Sequence, residues 1–185
     1  MELTEAIHGR RSTRAFTQKP VTKSILETLI ADAIQAPSAV NEQPWHFTVI
    51  HNQALLDKIS ASSKTFMLKV IEAGNFPKHL REHLETPDFQ IFYHAPVLLV
   101  ISSKAGDWAV ENASLAAENL MLAAYGHGLS SCWIGFAQHW LQTTEGKHSI
   151  NLADEFVPVA PIIIGYPAGE LRPVTRHPAR VQWIV

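Results

Sequence analysis

Apolar residues near the amino terminus recur at the spacing of an α-helix. In the segment 22–36 they fall on one helical face, and Thr22 stands where it can cap the first turn. This pattern predicts a helix over 22–36, preceded by a shorter one around Leu3–His8. The apolar face of the longer helix consists of Ile25, Leu29, Ala33 and Ala36.

Short apolar segments rich in branched and aromatic residues follow, and this composition is typical of β-strands. They predict a small sheet of four strands, flanked by the helices in an α+β fold. No repeat, low-complexity stretch or linker divides the chain, so we expect a single domain over 1–185. The predicted strands are Trp45–Ile50, Val97–Ser102, Ser130–Ile134 and Val159–Gly165.

Two further segments have helical character. Residues 112–125 are apolar on nearly every side and rich in alanine, which predicts a helix buried in the core or in a subunit contact. Residues 60–90 mix charged and apolar positions without a clean period, so an irregular helical region is expected there.

Composition narrows the class of protein. Hydrophobic residues make up 46% of the 185 positions and charged residues 17%, while no apolar run approaches the roughly 18 residues of a membrane span. The amino terminus has no apolar stretch of the kind found in secretion signals, so we expect a cytoplasmic protein without membrane insertion. Acidic and basic residues nearly balance, which gives no support to nucleic-acid binding. The single cysteine, Cys132, lies among apolar residues and is interpreted as buried rather than reactive.

A polar, rigid and aromatic loop follows the second predicted helix. The stretch Pro37–Trp45 reads Pro-Ser-Ala-Val-Asn-Glu-Gln-Pro-Trp, with two prolines that restrict the backbone. Its Ser38, Asn41 and Gln43 side chains offer hydroxyl and amide groups that can meet the edge of a heterocycle. Taken alone, the stretch is equally compatible with a helix stop and a turn.

A second polar segment concentrates positive charge. Three arginines and two hydroxyl residues occupy positions 10–14, in a chain whose formal net charge is only -2. Guanidinium groups match phosphate oxygens well, and in an extended backbone Arg10, Ser12 and Arg14 point to one side. Arg11 alone is compatible with a solvated basic surface. The spacing therefore predicts a site for one small anion.

These two segments together resemble the nitroreductase family of flavoproteins. The family pattern Arg-Arg-Ser-x-Arg-x-Phe is present from Arg10 to Phe16, and Ala-Pro-Ser-x-x-Asn-x-Gln-Pro-Trp from Ala36 to Trp45. Later matches include Gly-Leu-Ser-Ser-Cys-Trp-Ile-Gly from Gly128 and Pro-Ile-Ile-Ile-Gly-Tyr-Pro from Pro161, so the resemblance covers nearly the whole chain.

The resemblance implies an α+β sandwich that forms an intertwined homodimer, with one flavin mononucleotide (FMN) in each of two sites built from both subunits. In such a site Arg10 and Ser12 meet the phosphate and ribityl tail, Arg176 returns to the phosphate, and Arg14 lies near the pyrimidine edge of the flavin. Ser38, Asn41 and Gln43 come from the second subunit or the adjoining wall. Residues 134–135 place a backbone amide near N5. The cofactor-binding residues expected in this way are Arg10, Arg11, Ser12, Arg14, Pro37, Ser38, Ala39, Asn41, Gln43, Ile134, Gly135 and Arg176.

The resemblance also implies an oxidoreductase reduced by NADH or NADPH and reoxidised by a nitroaromatic, a quinone or a similar small acceptor. Because the flavin carries the hydride chemistry, no catalytic side chain is expected. The chain departs from its relatives at Asn112, where many have an acidic residue, and in 64–92, where their further flavin contact has no clear match; Lys69 and Asn75 are possible equivalents.

Three alternatives remain at this stage. A flavin-binding protein without turnover would show the same motifs. The sequence His79-Leu80-Arg81-Glu82-His83 matches the pattern of inverted zinc peptidases, although a solvated helix face is favoured over a metal site and no metal is expected. The segment Ala179–Val185 could form a strand that crosses to a partner sheet, as in the family, or one that folds back on its own sheet.

Overall fold

The computed structural model describes residues 2–86, 88–171 and 173–185. In these ranges four strands form one sheet and seven α-helices pack on it, which confirms the predicted α+β class. The strands are β1 (Trp45–Ile50), β2 (Val97–Lys104), β3 (Ser130–Trp133) and β4 (Phe156–Gly165). The helices are α1 (Leu3–Gly9), α2 (Lys23–Ala33), α3 (Gln53–Glu72), α4 (Leu80–Glu85), α5 (Ala109–Gly126), α6 (Gly135–Leu141) and α7 (Thr144–Ser149).

The sheet has the order β1-β2-β4-β3, and every neighbouring pair is antiparallel. All four predicted strands are confirmed, but β4 begins three residues earlier than predicted and includes Pro158. A shift in register between Ile101 and Ser102 of β2 accompanies this proline. Since proline cannot donate to a strand ladder, a bulge is where a central strand accommodates it.

Residues of β2 alternate between two hydrophobic layers. Leu98 and Val100 face the layer that contains α3, α4 and α6, whereas Val97, Leu99 and Ile101 face the layer that contains α2 and α5. The strand is buried almost throughout because helices cover both faces of the sheet.

Local signals explain the helix boundaries. The Thr22 hydroxyl accepts a hydrogen bond from the Ile25 amide at 3.4 Å, as the predicted cap requires. Helix α2 ends at Ala33 rather than Ala36, since the proline at position 37 disfavours helical backbone in the residue before it. The region expected to be irregular divides into the 20-residue α3, which begins seven residues earlier at its Asn52 cap, and the short α4.

Helix α5 is buried on one side only. Ala113, Ala117 and Leu120 are fully buried against the sheet layer, whereas Val110 and Leu115 are 55% and 46% exposed. This segment is predicted to be buried in the core or in a subunit contact. Within the single chain, α1, α2 and the sheet cover one side of α5, and burial of the other side in a subunit contact stays a prediction. Among the described residues, no helix combines the length and apolarity of a membrane span.

The carboxyl-terminal segment pairs with no strand in the described part of the chain. Residues 173–185 form neither helix nor strand, and Trp183 and Ile184 are 84% and 90% exposed. The alternative in which this segment folds back on its own sheet is therefore not observed.

Candidate functional site

The basic segment 10–16 lies beside the edge strand β3. The Thr13 amide donates a hydrogen bond to the Ser131 carbonyl at 3.0 Å, and Ser12 and Ser131 form a parallel bridge. On the other side the Ala168 amide donates to the Ala15 carbonyl at 3.0 Å. Contacts with β3 and with the chain beyond β4 thus hold the segment extended, as its alternating pattern predicts.

A cavity of about 630 Å³ opens along this segment. Its size is within the usual range for small-molecule pockets. Five expected cofactor residues line this cavity. Four of them come from the basic segment near the amino terminus, and the segment that follows β4 brings the fifth, Arg176, next to them. The five residues are Arg10, Arg11, Ser12, Arg14 and Arg176, and the remaining lining includes Thr13, Ala15, Val174 and residues 167–171.

The arginines of the cavity are held in different ways. The Arg10 side chain is only 19% exposed, with Nε 3.5 Å from the Glu118 carboxylate on α5. This nitrogen is buried without a hydrogen-bond partner, as is the Thr13 hydroxyl. The Arg11 guanidinium donates to the carbonyls of His8 and Arg10 at 2.6 and 2.7 Å. Arg11 therefore fastens the segment to the end of α1, while Arg10 keeps unused donor capacity next to the cavity.

A second, smaller cavity of about 210 Å³ shares Arg14 with the first. Two other expected residues, Ile134 and Gly135, line it at the junction of β3 and α6. A Cβ atom added to Gly135 would meet no atom within 4 Å, so open space lies directly above this backbone. The remaining wall is largely apolar and aromatic and consists of Phe76, Leu80, Ile91, Tyr93, Trp133 and Phe136.

Tyr93 is a site residue that the sequence did not reveal. The Arg14 guanidinium carbon lies 5.9 Å from the centroid of its ring. Burial raises the pKa of the Tyr93 hydroxyl, and the neighbouring Arg14 charge partly opposes that rise. The hydroxyl is therefore a neutral donor at physiological pH. By contrast, Lys69, considered as an equivalent contact, lines a separate groove with Trp140.

The 37–45 loop lies elsewhere in the single chain and lines neither of these two cavities. The Ser38 hydroxyl accepts from the Gln43 amide at 2.9 Å, and the Gln43 side chain donates to the Asn41 side chain at 3.1 Å. Asn41 and Gln43 have positive φ values of 58° and 51°. Pro37, Asn41 and Gln43 are exposed and Ala39 is half-buried. Ser38 is half-buried as well, so the five expected residues of this loop form a rigid, partly exposed group apart from the other seven.

Two other sequence interpretations can be compared with the structure. Cys132 is 1% exposed, which confirms its assignment as a buried residue. Within the described residues, no group of three or more His, Cys, Asp or Glu side chains could hold a metal. His83 instead packs against Phe89, with ring centroids 4.3 Å apart.

The residues present fit a phosphorylated aromatic ligand. Arginines and hydroxyl side chains, together with the Glu170 carboxylate, line the larger cavity, where a phosphate can bind. The smaller cavity, which shares Arg14 with it, has aromatic and apolar walls beside the open backbone at Gly135. The buried Thr13 hydroxyl has hydrogen-bonding capacity that the chain leaves unused, and Arg10 Nε has only the 3.5 Å ion pair with Glu118. This arrangement is far less suited to an apolar or cationic ligand.

Comparison with known proteins agrees with this geometry. A nitroreductase from Bacteroides fragilis, solved with bound FMN, superimposes with a TM-score of 0.86 at 29% identity, over 100% of this chain and 99% of the other. An FMN-dependent nitroreductase from Clostridium difficile gives a TM-score of 0.81 at 25% identity, over 99% of each chain.

Sequence comparison leads to the same group. A protein of Methanothermobacter thermautotrophicus, provisionally named as an NADH dehydrogenase/NAD(P)H nitroreductase, is 28% identical over 91% of this chain and 78% of its own length. The model of the nitroreductase family matches residues 7–166. The resemblance seen in the two motifs is thereby confirmed, and the chain belongs to the nitroreductase family.

Proposed function

We propose that this protein is an FMN-dependent oxidoreductase that takes electrons from NADH or NADPH and passes them to a small quinone, nitroaromatic or similar acceptor. The observation that carries the proposal is the pair of cavities that share Arg14 in their walls, one lined by arginines and the other mainly by aromatic and apolar side chains. The oxidoreductase class and the FMN cofactor follow from the family and from its FMN-bound members.

Each of the two cavities has its own role in this proposal. Arg10 and Arg176 bind the FMN phosphate, with Ser12 beside the ribityl chain. Arg11 contributes mainly by fixing the segment to α1. The ring system occupies the second cavity, where Gly135 lets the backbone approach closely and a main-chain amide can donate to the ring.

FMN, when bound, supplies the hydride and electron-transfer chemistry. The chain contributes binding, orientation and electrostatics. Because reduction places negative charge on the pyrimidine edge of the ring, the Arg14 guanidinium stabilises the reduced cofactor. Overall, the nicotinamide gives up two electrons and a proton as hydride, and a quinone acceptor takes up these two electrons and two protons, of which the second comes from solvent. No protein nucleophile is required, and we assign no catalytic side chain.

The 37–45 loop completes the site from a second copy of the chain. Its Pro37, Asn41 and Gln43 are exposed in one subunit, as expected of a loop that contacts a neighbouring subunit's cofactor, and Ser38 and Ala39 are half-buried beside them. Exposed apolar side chains on α5 and on the carboxyl-terminal segment, such as Leu115 and Trp183, supply the surface for an intertwined homodimer. We place this single domain, 1–185, in the cytoplasm, where reduced nicotinamide is abundant.

A flavin-binding protein without turnover is the second candidate, because the same cavities would bind FMN equally well. The two differ in reoxidation. After anaerobic reduction with NADH or NADPH, a quinone or nitroaromatic should restore the oxidised flavin spectrum in repeated cycles. A reduced protein that neither acceptor reoxidises would exclude turnover with these acceptors and favour the second candidate.

The assignment of the arginines is tested by binding alone. The double variant Arg10→Ala/Arg14→Ala should lose most FMN without unfolding, since both side chains act on the ligand. A control removes two cations elsewhere, Lys23 and Arg81, each paired with a glutamate on its own helix. If the first variant binds FMN as tightly as the parent, the phosphate assignment is wrong.

A further inference from the structure

An unusual backbone conformation positions the aromatic wall beside Arg14. Tyr93 and His94 both have positive φ, at 53° and 52°. Non-glycine residues rarely adopt this region, because the side chain then crowds the backbone and the conformation is strained. Two in succession require strong local support.

Gln90 supplies that support. Its side-chain oxygen accepts from the Phe92 amide at 2.7 Å and from the His94 amide at 3.3 Å, while its side-chain nitrogen donates to Asp57 on α3 at 3.1 Å. The Tyr93 amide also donates to the Gln90 carbonyl at 2.9 Å. One side chain thus ties the turn to α3.

The turn places the Tyr93 ring against Arg14. Its neighbours Ile91 and Phe92 are fully buried, which anchors the turn in the core, while Tyr93 itself is half-buried on the cavity wall. The Arg14 guanidinium is otherwise exposed, and no hydrogen bond or ion pair to an acidic side chain is recorded for it in the described residues. Tyr93 is therefore the neighbour that restricts where this guanidinium points.

We propose that Tyr93 is a positioning residue, which holds the Arg14 guanidinium at the polar edge of the bound flavin ring and so favours the reduced cofactor. This inference rests on the proposed function, since it requires FMN in the second cavity. It goes further by assigning a redox role to a residue outside both family motifs. Gln90 acts indirectly, because its side chain stabilises the turn that carries Tyr93.

The test compares affinities for oxidised and reduced FMN, and the reduction potential of the bound cofactor, without any substrate. Tyr93→Phe removes the hydroxyl, whose side-chain hydrogen bond with Arg14 helps to oppose the rise in the pKa of Tyr93. The variant should lower the preference for reduced FMN about fivefold, the equivalent of one net hydrogen bond. For a two-electron couple this is about 20 mV towards a lower potential. Gln90→Ala should shift the potential in the same direction. Tyr166→Phe is the matched control, because its ring lies against Lys19 at 3.8 Å rather than against Arg14.

A double-mutant cycle identifies the route of the effect. In an Arg14→Met background, Tyr93→Phe should leave the potential unchanged, since no guanidinium remains to be positioned. A full shift in that background would overturn the positioning role, as would a single Tyr93→Phe variant with the potential of the parent. If the parent itself binds no FMN, the proposed function fails instead, so the two failures are distinguishable.

Discussion

The side-chain oxygen of Asn112 accepts a hydrogen bond from the backbone amide of Ala39 at 2.9 Å. The carbonyl of the same residue accepts from the indole nitrogen of Trp45 at 2.7 Å. Asn112 is 3% exposed and lies in the first part of helix α5. A single buried residue of α5 therefore fixes both ends of the 37–45 loop, which sequence reasoning assigned to the cofactor.

Replacing Asn112 with alanine should destabilise the fold by about 0.5–1.5 kcal/mol, because the half-buried Ala39 amide loses its partner. Chemical denaturation measures the change. Asn119→Ala is the control, since Asn119 lies on the same helix but makes only a long, exposed hydrogen bond of 3.4 Å to Asp32. Equal losses in the two variants would show that the Asn112 contact has no special role.

The four strands and the extended basic segment could be predicted because each rests on a local signal. Branched apolar runs identify strands, and the alternation of Arg10, Ser12 and Arg14 indicates extended backbone. The role of Tyr93 could not be predicted, since its positive φ depends on Gln90 and on the core around it rather than on a glycine. The start of β4 was predicted three residues too late, because residues 156–158 pair with residues 102–104 across a register shift that has no local sequence signal.

Two features of the fold depend on long-range contacts and could not be predicted from the sequence. The separation of the 37–45 loop from the other site residues within one chain has no local sequence signal. The same is true of the one-sided burial of α5, since a helix apolar on most sides can be covered by its own chain or by another. In both cases the sequence specifies the surface but not what covers it.

Gly135→Val should fold normally but bind FMN poorly. A Cβ at this position meets no protein atom within 4 Å, so the change in stability should stay within about 0.5 kcal/mol. Overlap with the ring should weaken binding by about tenfold or more, since overpacking costs on the order of 1–3 kcal/mol. Fluorescence titration with FMN measures this. Gly106→Val is the control, because Gly106 also has open space around it; unchanged affinity in Gly135→Val would place the ring elsewhere.

Removing residues 179–185 should weaken the proposed homodimer. The segment carries Trp183 and Ile184, both largely exposed in the single chain. Burying large apolar side chains of this kind contributes several kcal/mol, so the dissociation constant should rise roughly 100-fold. Light scattering over a concentration series measures the change. A parent that is monomeric, or a truncated chain that dimerises equally well, would contradict this role of the segment.

Alkaline pH should destabilise the fold in part through Cys132. Burial raises the pKa of its thiol above the ordinary 9.0, although the nearby Arg14 charge works in the opposite direction. The unfolded thiol therefore ionises first, so this contribution is complete below pH 9 and is lost as pH rises through the higher folded pKa. In urea denaturation between pH 7 and 10, the free energy of unfolding should decline less with rising pH for Cys132→Ala than for the parent. If the free energy of unfolding declines equally in the variant and the parent, the Cys132 thiol is not desolvated in the folded protein.

The central claim is that the arginine-lined and aromatic cavities hold an FMN that reduced nicotinamide can reduce. The most direct measurement is the absorption spectrum of the FMN-reconstituted protein without oxygen, before and after NADH or NADPH is added. We expect absorption bands of protein-bound flavin that bleach when NADH or NADPH is added. Bands that persist with both nucleotides would contradict the nicotinamide-driven function, and a protein that retains no flavin after reconstitution would contradict the site itself.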